Sequence, residues 1–202
     1  MHHCFRAANY WRALWRQPNP PARFNHTGDG PTQYLALHPL GPWAELVRTA
    51  ARAGFSNLPA LAMEIQARTW VLKVDISELP RLDFDTAADF GLAPEDVVAD
   101  DQSRCRDLGQ RLRAEERGIV YVSAALPGTW NVVLFGEYWE SPFDIRPLSL
   151  HDVPTSVSAD RGGILITLLD RVRLPGQLHS ALEAWRLNID LTFDEPSFEL
   201  VP

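Results

Sequence analysis

Cysteine and lysine are scarce in this sequence, and negative charge outweighs positive charge. The two cysteines among 202 residues, Cys4 and Cys105, are too few for a disulfide scaffold, so we expect a reducing, cytoplasmic setting. Lys73 is the single lysine, and all the other basic residues are arginine. The net charge of −7 at pH 7 argues against general nucleic-acid binding, which requires a basic surface.

Long apolar segments are also lacking. Residues 118–136 form an uncharged run of 19 residues, but Pro127 and Gly128 interrupt its centre. Because Val, Ile and Tyr fill its ends, this pattern predicts two strands joined by a turn rather than a membrane helix. The N-terminal residues lack the apolar core of a signal peptide. We therefore expect a protein with neither a membrane span nor a secretion signal.

Strand and helix patterns intermix along the chain without regular alternation. The segment TQYLAL reads as a strand, Pro42 suits the first turn of a helix, and Gly54 suits the end of that helix. The remaining predicted strands cover 68–76, 118–123, 130–135, 143–149 and 162–174, and the remaining predicted helices cover 102–117 and 176–188. The pattern predicts an α+β fold, and the length fits one domain over 1–202.

One stretch of the chain is strongly acidic. Residues 82–101 include seven acidic residues and no basic ones. Such a charge run is typical of a solvated loop with short helices, which is our interpretation here. A metal-binding or partner-binding role is the alternative.

Two arginines lie where a ligand could reach them. Arg6 follows a phenylalanine on a predicted strand, and Arg23 lies in a loop rich in glycine and proline. The planar guanidinium group matches phosphate oxygens and stays charged when partly buried, so the pair would suit a pyrophosphate. A surface or structural ion pair is the simpler interpretation of each arginine alone.

A tyrosine and a glutamate flank a predicted turn between strand and helix. Tyr34 could stack on a base or a nicotinamide ring, or it could be an aromatic residue of the core. Glu45 has apolar neighbours, so its carboxylate needs a partner or a ligand. A first-turn glutamate placed favourably against the helix dipole is the alternative. The turn would bring both side chains to one side of a nucleotide site.

Ser123 lies near the end of a predicted strand, and Asn131 follows the next turn. No Gly-x-Ser-x-Gly surrounds Ser123, so a nucleophile elbow is not supported, and a serine bonded to backbone is the simpler interpretation. The sequence has no P-loop and no Gly-x-Gly-x-x-Gly before a helix. His2, His3 and Cys4 lack a second ligand pair at zinc spacing, so we predict no metal site.

Five of these features, in this order, resemble the RES-domain family, which is named for its Arg, Glu and Ser. They are Arg6 in FR, Arg23 in RFN, Tyr34 in TQYLAL, Glu45 eleven residues later, and Ser123 in GIVYVSA. The resemblance covers about residues 4–136. Residues 137–202 would then contribute C-terminal strands and a helix to the same domain.

The family's members are typically NAD-degrading toxins that work beside an antitoxin with an Xre-like domain. The resemblance therefore implies a fold similar to ADP-ribosyltransferases, with mixed β-sheets around a central NAD cleft. It also implies an antitoxin partner, and a homodimer could form within the toxin–antitoxin complex. Direct contact with nucleic acid or membrane is not expected.

The resemblance also assigns roles to the residues. Arg6, Glu45 and Ser123 would be catalytic, and Glu45 would offset the positive charge that grows on the ribose as nicotinamide leaves. The substrate-binding residues would be Arg23, Tyr34 and Asn131, with Arg23 and Arg6 on phosphates and Tyr34 on the nicotinamide side.

The activity expected from the resemblance is that of an NAD phosphorylase. NAD and inorganic phosphate would be its substrates, and no cofactor or metal would be needed. The products would be nicotinamide and ADP-ribose phosphorylated at the anomeric carbon. Three alternatives stay open: an NAD glycohydrolase, an ADP-ribosyltransferase, and an inactive NAD-binding or assembly module.

Overall fold

The computed structural model describes residues 2–7, 20–58, 60, 69–136, 145–147, 169–191 and 193. Its strands are β1 (His2–Ala7), β2 (Thr32–Ala36), β3 (Thr69–Val74), β4 (Arg81–Leu82), β5 (Gly118–Val122), β6 (Trp130–Phe135) and β7 (Ile145–Pro147). Its α-helices are α1 (Gly41–Arg52), α2 (Pro94–Val98), α3 (Ser103–Leu112) and α4 (Ser180–Arg186). A short 3-10 helix covers Ala87–Phe90.

The seven strands form one mixed sheet in the order β4-β5-β6-β2-β1-β3-β7. The β4–β5 pair is parallel, and the other neighbouring strands are antiparallel. Register places Phe5 opposite Ala36, Ala36 opposite Asn131, and Asn131 opposite Tyr121. These four residues therefore form one row across the four neighbouring strands β1, β2, β6 and β5.

Both faces of the sheet are covered, which explains the nearly continuous apolar sequence of β5 and β6. Ile119 and Val133 belong to a core cluster with Phe24 and the acidic stretch. Val120 and Val132 point to the opposite face and pack with β1 and β3. A third cluster packs α1 against the residues that follow β5. The central strands thus lie between two apolar layers.

The predicted α+β class is confirmed, and the predicted elements appear with shorter ends. The strands expected at 32–37, 68–76, 118–123 and 130–135 are present, as are the helix after Pro42 and the helices within 102–117 and 176–188. The strand predicted at 162–174 is wrong for its described part, because 169–172 forms a turn closed by a bond from the Val172 amide to the Leu169 carbonyl. Residues 162–168 lie outside the described part of the chain, and of 143–149 only β7 is described.

The acidic stretch 82–101 is not a solvated loop. It contains the two short helices that we predicted, but Leu82, Val97 and Val98 are buried in the core. Its carboxylates also make specific contacts, since Asp96 accepts a hydrogen bond from the Ala93 amide and Asp100 pairs with arginines. Apolar residues between the acids therefore dock this segment onto the sheet.

Within these described ranges, none of the helices is long and apolar enough to cross a membrane.

Candidate active site

A cavity of about 490 Å³ lies over the central row of the sheet. Helix α1 forms one wall and residues 20–23 form another, while β1, β2, β5 and β6 supply the floor. This volume falls within the usual range of small-molecule sites. Five of the six predicted site residues line it: Arg6, Arg23, Tyr34, Glu45 and Asn131.

Glu45 lies in the second turn of α1 and meets Asn131 of β6. The Asn131 side-chain amide donates a hydrogen bond to Glu45 Oε1 at 3.0 Å. The sequence analysis expected a partner for Glu45 because its neighbours are apolar, and that partner is the Asn131 side-chain amide on the sheet. Glu45 is half-buried and lines the cavity. The Asn131 Oδ1 atom is buried and has no hydrogen-bond partner among the described residues.

The N-terminus of α1 approaches the sheet closely, and this sets the position of Glu45. A Cβ atom on Gly41 would lie 2.5 Å from the Cβ atom of Ala36, which is closer than the Cβ atoms of real proteins approach other atoms. Pro42 lies in the first turn of α1, where a backbone N–H would have no acceptor within the helix, so proline loses no helical hydrogen bond there. Glycine followed by proline therefore lets the helix start directly above the Ala36–Asn131 pair.

Arg6 is buried on β1 beside the cavity. It donates a hydrogen bond from Nη1 to Gln33 Oε1 at 2.7 Å. Burial lowers the pKa of Arg6 to about 10, so the guanidinium group stays charged at neutral pH. The structure thus places a positive charge in the floor of the cavity.

Arg23 lines the cavity, but its guanidinium group also makes structural hydrogen bonds. Its Nη1 donates to the Val97 carbonyl at 2.9 Å, and its Nη2 donates to the Ala99 carbonyl at 3.0 Å. These bonds tie the loop 20–25 to the end of α2. The structural interpretation of Arg23 therefore holds alongside its position at the site.

The Tyr34 hydroxyl is used within the protein. It donates to Asn25 Oδ1 at 2.8 Å and accepts a hydrogen bond from the Phe24 amide at 2.9 Å. Burial raises the pKa of Tyr34 well above its usual range. Tyr34 thus fastens the loop 20–25 to β2 while its side chain contributes to the cavity wall.

Ser123 is not among the residues that line the cavity. It is fully buried, and its Oγ accepts a hydrogen bond from the Leu126 amide at 3.1 Å in the turn between β5 and β6. Tyr121, two residues earlier, reaches the cavity instead. Burial raises the pKa of Tyr121, and the nearby Glu45 adds to this effect. In this structure Ser123 supports the turn, and it is not brought together with the other five residues.

Two charged residues of the cavity were not predicted from the sequence, and both follow Glu45 on α1. Arg48 and Arg52 line the cavity with it. Their spacing of three and seven residues from Glu45 puts them on the same helix face, which is the signal that would have found them. Arg48 is buried, and burial, followed by the neighbouring Arg173, lowers its pKa to about 10.

Asp100, from the end of the acidic stretch, holds these arginines together. It bonds Arg48 Nη2, lies 3.2 Å from Arg173 Nη1, and lies 4.0 Å from Arg52 Nη2. Burial alone would raise the pKa of Asp100, but the Gly176 amide and the nearby guanidinium groups hold that pKa below its usual range. Asp100 is therefore an anionic centre among three arginines.

The charge at the cavity is opposite in sign to the charge of the whole chain. Four arginines and one carboxylate line it, whereas the chain carries −7. A concave wall rich in guanidinium groups favours an anionic ligand, and phosphates in particular. In the described ranges, no three His, Cys, Asp or Glu side chains are grouped as a metal ion would require.

Comparison with known proteins identifies the family. The RES domain family matches residues 2–158, so the chain belongs to this family. The resemblance stated from the sequence is thereby confirmed.

Two relatives are informative. The Mycobacterium tuberculosis protein named Probable NAD(+) phosphorylase Rv3189 is 25% identical over 115 residues, which are 57% of this chain and 53% of the relative. The chain thus spans about half the length of this curated relative. A chain of the Mycobacterium tuberculosis MbcT-MbcA toxin-antitoxin complex matches with a TM-score of 0.57 at 19% identity, covering 84% of this chain and 89% of that one. This second likeness shows the fold.

Proposed function

We propose that this chain is an NAD phosphorylase. It would cleave the bond between nicotinamide and ribose with inorganic phosphate, giving nicotinamide and ADP-ribose 1″-phosphate. The observation that carries the proposal is the Glu45–Asn131 pair, which lies in the same cavity as four arginines. This reaction requires a carboxylate to stabilise the cationic sugar and guanidinium groups to bind the phosphates.

The reaction needs electrostatic support at one carbon atom. The C–N bond breaks as its electron pair returns to the nicotinamide ring, and positive charge grows on the ribose. A phosphate oxygen then forms the new bond at the anomeric carbon. Glu45 offsets the growing charge, and Asn131 fixes the orientation of its carboxylate. Removing one such preorganised group typically lowers the rate by about 10²–10³-fold.

The remaining polar atoms of the wall fit the same substrate. The buried Asn131 Oδ1 would accept a hydrogen bond from a ribose hydroxyl or from the nicotinamide amide. Arg6 supplies a positive charge in the floor for a phosphate group. Family membership and the name of the curated relative support NAD as the substrate. No metal or cofactor takes part in the proposed reaction.

Phosphorus NMR of the purified protein with NAD tests the proposal, in phosphate buffer and in phosphate-free buffer. We expect a new sugar-phosphate resonance that requires phosphate. Glu45→Gln should abolish it while circular dichroism shows a folded protein. Glu115→Gln makes the same chemical change at an exposed position outside the cavity and should leave the activity intact.

The alternative functions predict different outcomes in this experiment or in a parallel incubation with adenylate-labelled NAD and a cell extract. Free ADP-ribose in both buffers would identify a glycohydrolase. Labelled adenylate on a macromolecule would identify an ADP-ribosyltransferase. NAD that binds but stays intact in both buffers would identify a binding or assembly module.

We also propose that the chain is a toxin acting on cytoplasmic NAD and neutralised by an antitoxin with an Xre-like domain. The fold shared with a chain of a toxin–antitoxin complex supports an antitoxin partner. Expression of the chain alone should stop growth and lower cellular NAD, and Glu45→Gln should relieve both effects. Light scattering of the complex with its antitoxin would reveal whether the toxin is a homodimer.

A further inference from the structure

Helix α1 presents a line of charged residues to the cavity. Glu45, Arg48 and Arg52 all line it. With 3.6 residues per turn, Arg52 lies within about 20° of Glu45 around the helix axis and about 10 Å further along it. One helix face therefore carries a carboxylate at one end of the cavity and guanidinium groups towards the other.

The two arginines differ in how tightly the protein holds them. Arg48 is buried, bonds Asp100, and donates from Nε to the Arg173 carbonyl at 3.2 Å. Arg52 is on the open side, with 41% of its side chain exposed, and its Nη2 lies 4.0 Å from Asp100. At 4.0 Å, Arg52 and Asp100 form an ion pair but no hydrogen bond. The guanidinium N–H donors of Arg52 are thus available to a ligand.

The cluster around Asp100 has an excess of positive charge. Arg48, Arg52 and Arg173 surround one carboxylate, which leaves two positive charges without a carboxylate counterpart in the cluster. Arg23 meanwhile uses both terminal nitrogens on carbonyl groups. Arg52 is therefore better placed than Arg23 to meet phosphate oxygens.

We propose that Arg52, supported by the buried Arg48, binds phosphate in this cavity. The shared chemistry is a phosphate group, which belongs either to the diphosphate of the dinucleotide or to free inorganic phosphate. The geometry favours the diphosphate, because the acceptor phosphate must reach the anomeric carbon beside Glu45, whereas Arg52 lies about 10 Å further along the helix axis. The inference rests on the proposed function for the placement of the ribose beside Glu45.

The position of Arg52 has a second explanation, which the test must separate. Arg52 is the last residue of α1, where a cation stabilises the helix dipole. A stability measurement would not distinguish the two roles. A ligand-binding measurement distinguishes the two roles of Arg52, and it does not require turnover.

Isothermal titration of the full chain with three probes tests the proposal. The probes are ADP-ribose, inorganic phosphate, and nicotinamide riboside, which has no phosphate. Arg52→Gln should weaken the binding of a phosphate-bearing probe about tenfold or more and leave nicotinamide riboside unchanged. Arg104→Gln removes the same charge from an exposed arginine paired with Asp96 outside the cavity and should bind all probes normally. Arg52→Lys keeps the charge but loses the planar pair of N–H donors of the guanidinium group. Its affinity for the phosphate-bearing probe should therefore lie between that of the parent protein and that of Arg52→Gln.

The probe that is affected identifies the source of the phosphate. A loss confined to ADP-ribose assigns Arg52 to the diphosphate, and a loss confined to inorganic phosphate assigns it to the acceptor. Unchanged binding of both, no binding of either by the parent protein, or equal weakening of nicotinamide riboside would overturn the proposal.

Failure of the proposal and failure of the proposed function give different results. If NAD is converted but Arg52→Gln binds like the parent, the function stands and the phosphate role of Arg52 is wrong. If NAD is never converted but Arg52→Gln loses ADP-ribose, the phosphate site stands and the reaction is wrong.

Discussion

Asn131 donates its side-chain amide to Glu45 Oε1 at 3.0 Å, which joins the middle of the sheet to the start of α1. The same asparagine pairs with Ala36 on one side and with Tyr121 on the other in the strand register. Since Gly41 brings the helix against Ala36, the backbone fixes both ends of this hydrogen bond. The carboxylate is therefore held by the sheet rather than by a loop.

Replacing Asn131 should slow the reaction without unfolding the protein. In Asn131→Ala, Glu45 loses the group that orients it, and a misplacement of about 1 Å can cost on the order of 100-fold in rate. We expect kcat for NAD loss to fall by about that factor, measured by nicotinamide release. Asn57→Ala, at an exposed position outside the cavity, is the control. A kcat equal to that of the parent would mean that Glu45 does not depend on this amide.

Tyr34→Phe should act on stability more than on chemistry. The phenyl ring stays, but the Phe24 amide and the Asn25 oxygen both lose their partner. Unpaired buried groups typically cost about 1–3 kcal/mol each, so we expect the loss of both bonds to lower the free energy of unfolding by about 2–6 kcal/mol. Urea unfolding measures this change, and kcat should remain within a few-fold of the parent. The opposite pattern, intact stability with a lost kcat, would assign the hydroxyl to catalysis.

Much of the fold could be predicted because its signals are local. Apolar β-branched residues marked β5 and β6, and Pro42 with Gly54 marked the ends of α1. Glu45 was identified for a similar reason, since a carboxylate with apolar neighbours needs a partner. These inferences depend on residues within one turn or strand of each other.

The rest of the site depends on contacts that local patterns do not contain. Arg48 looks like an ordinary helix arginine until the register of α1 against the sheet is known. Its partner Asp100 is 52 residues away, within a stretch whose charge alone suggested solvent. Ser123 lies just past the end of β5, where the turn bonds its hydroxyl to the Leu126 amide. Tertiary packing decides the positions of Arg48 and Asp100, and sequence periodicity does not report it. The Ser123 contact is local and agrees with the simpler interpretation of a serine bonded to backbone.

Gly41→Ala should displace α1 and so reduce both stability and activity. The new Cβ atom would meet the Ala36 Cβ atom at 2.5 Å, and overpacking of this kind typically costs about 1–3 kcal/mol. Gly30→Ala is the matched control, because a Cβ atom there has nothing within 4 Å. Thermal unfolding and nicotinamide release are the measurements.

A second substitution checks the cause of the Gly41→Ala effect. Ala36→Gly removes the atom that the new methyl group would strike. The double variant should therefore recover stability and activity relative to Gly41→Ala alone. If the double variant is as damaged as the single one, the close approach of helix and sheet is not the reason for glycine at this position.

His179 should make the stability of the protein depend on pH. It is buried at the start of α4, where Nδ1 accepts a hydrogen bond from the Leu182 amide at 3.3 Å. Its Nε2 therefore carries the proton and donates to the Ser123 carbonyl at 2.9 Å. Burial lowers the pKa of His179 from 6.5 to about 4, and neighbouring arginines add to this effect.

The sign of the pH effect follows from this lowered pKa. As pH falls below 6.5 the unfolded chain takes up the proton first, so the contribution of His179 to the free energy of unfolding decreases until pH is near 4 and then levels off. The loss between pH 7.5 and pH 5 should be about 2 kcal/mol, measured by urea unfolding at each pH. His179→Asn retains a side chain that can cap α4 but does not titrate, so its profile should be flatter over this interval by about that amount. Parallel profiles for the two proteins would show that His179 is not protonated on unfolding in this range.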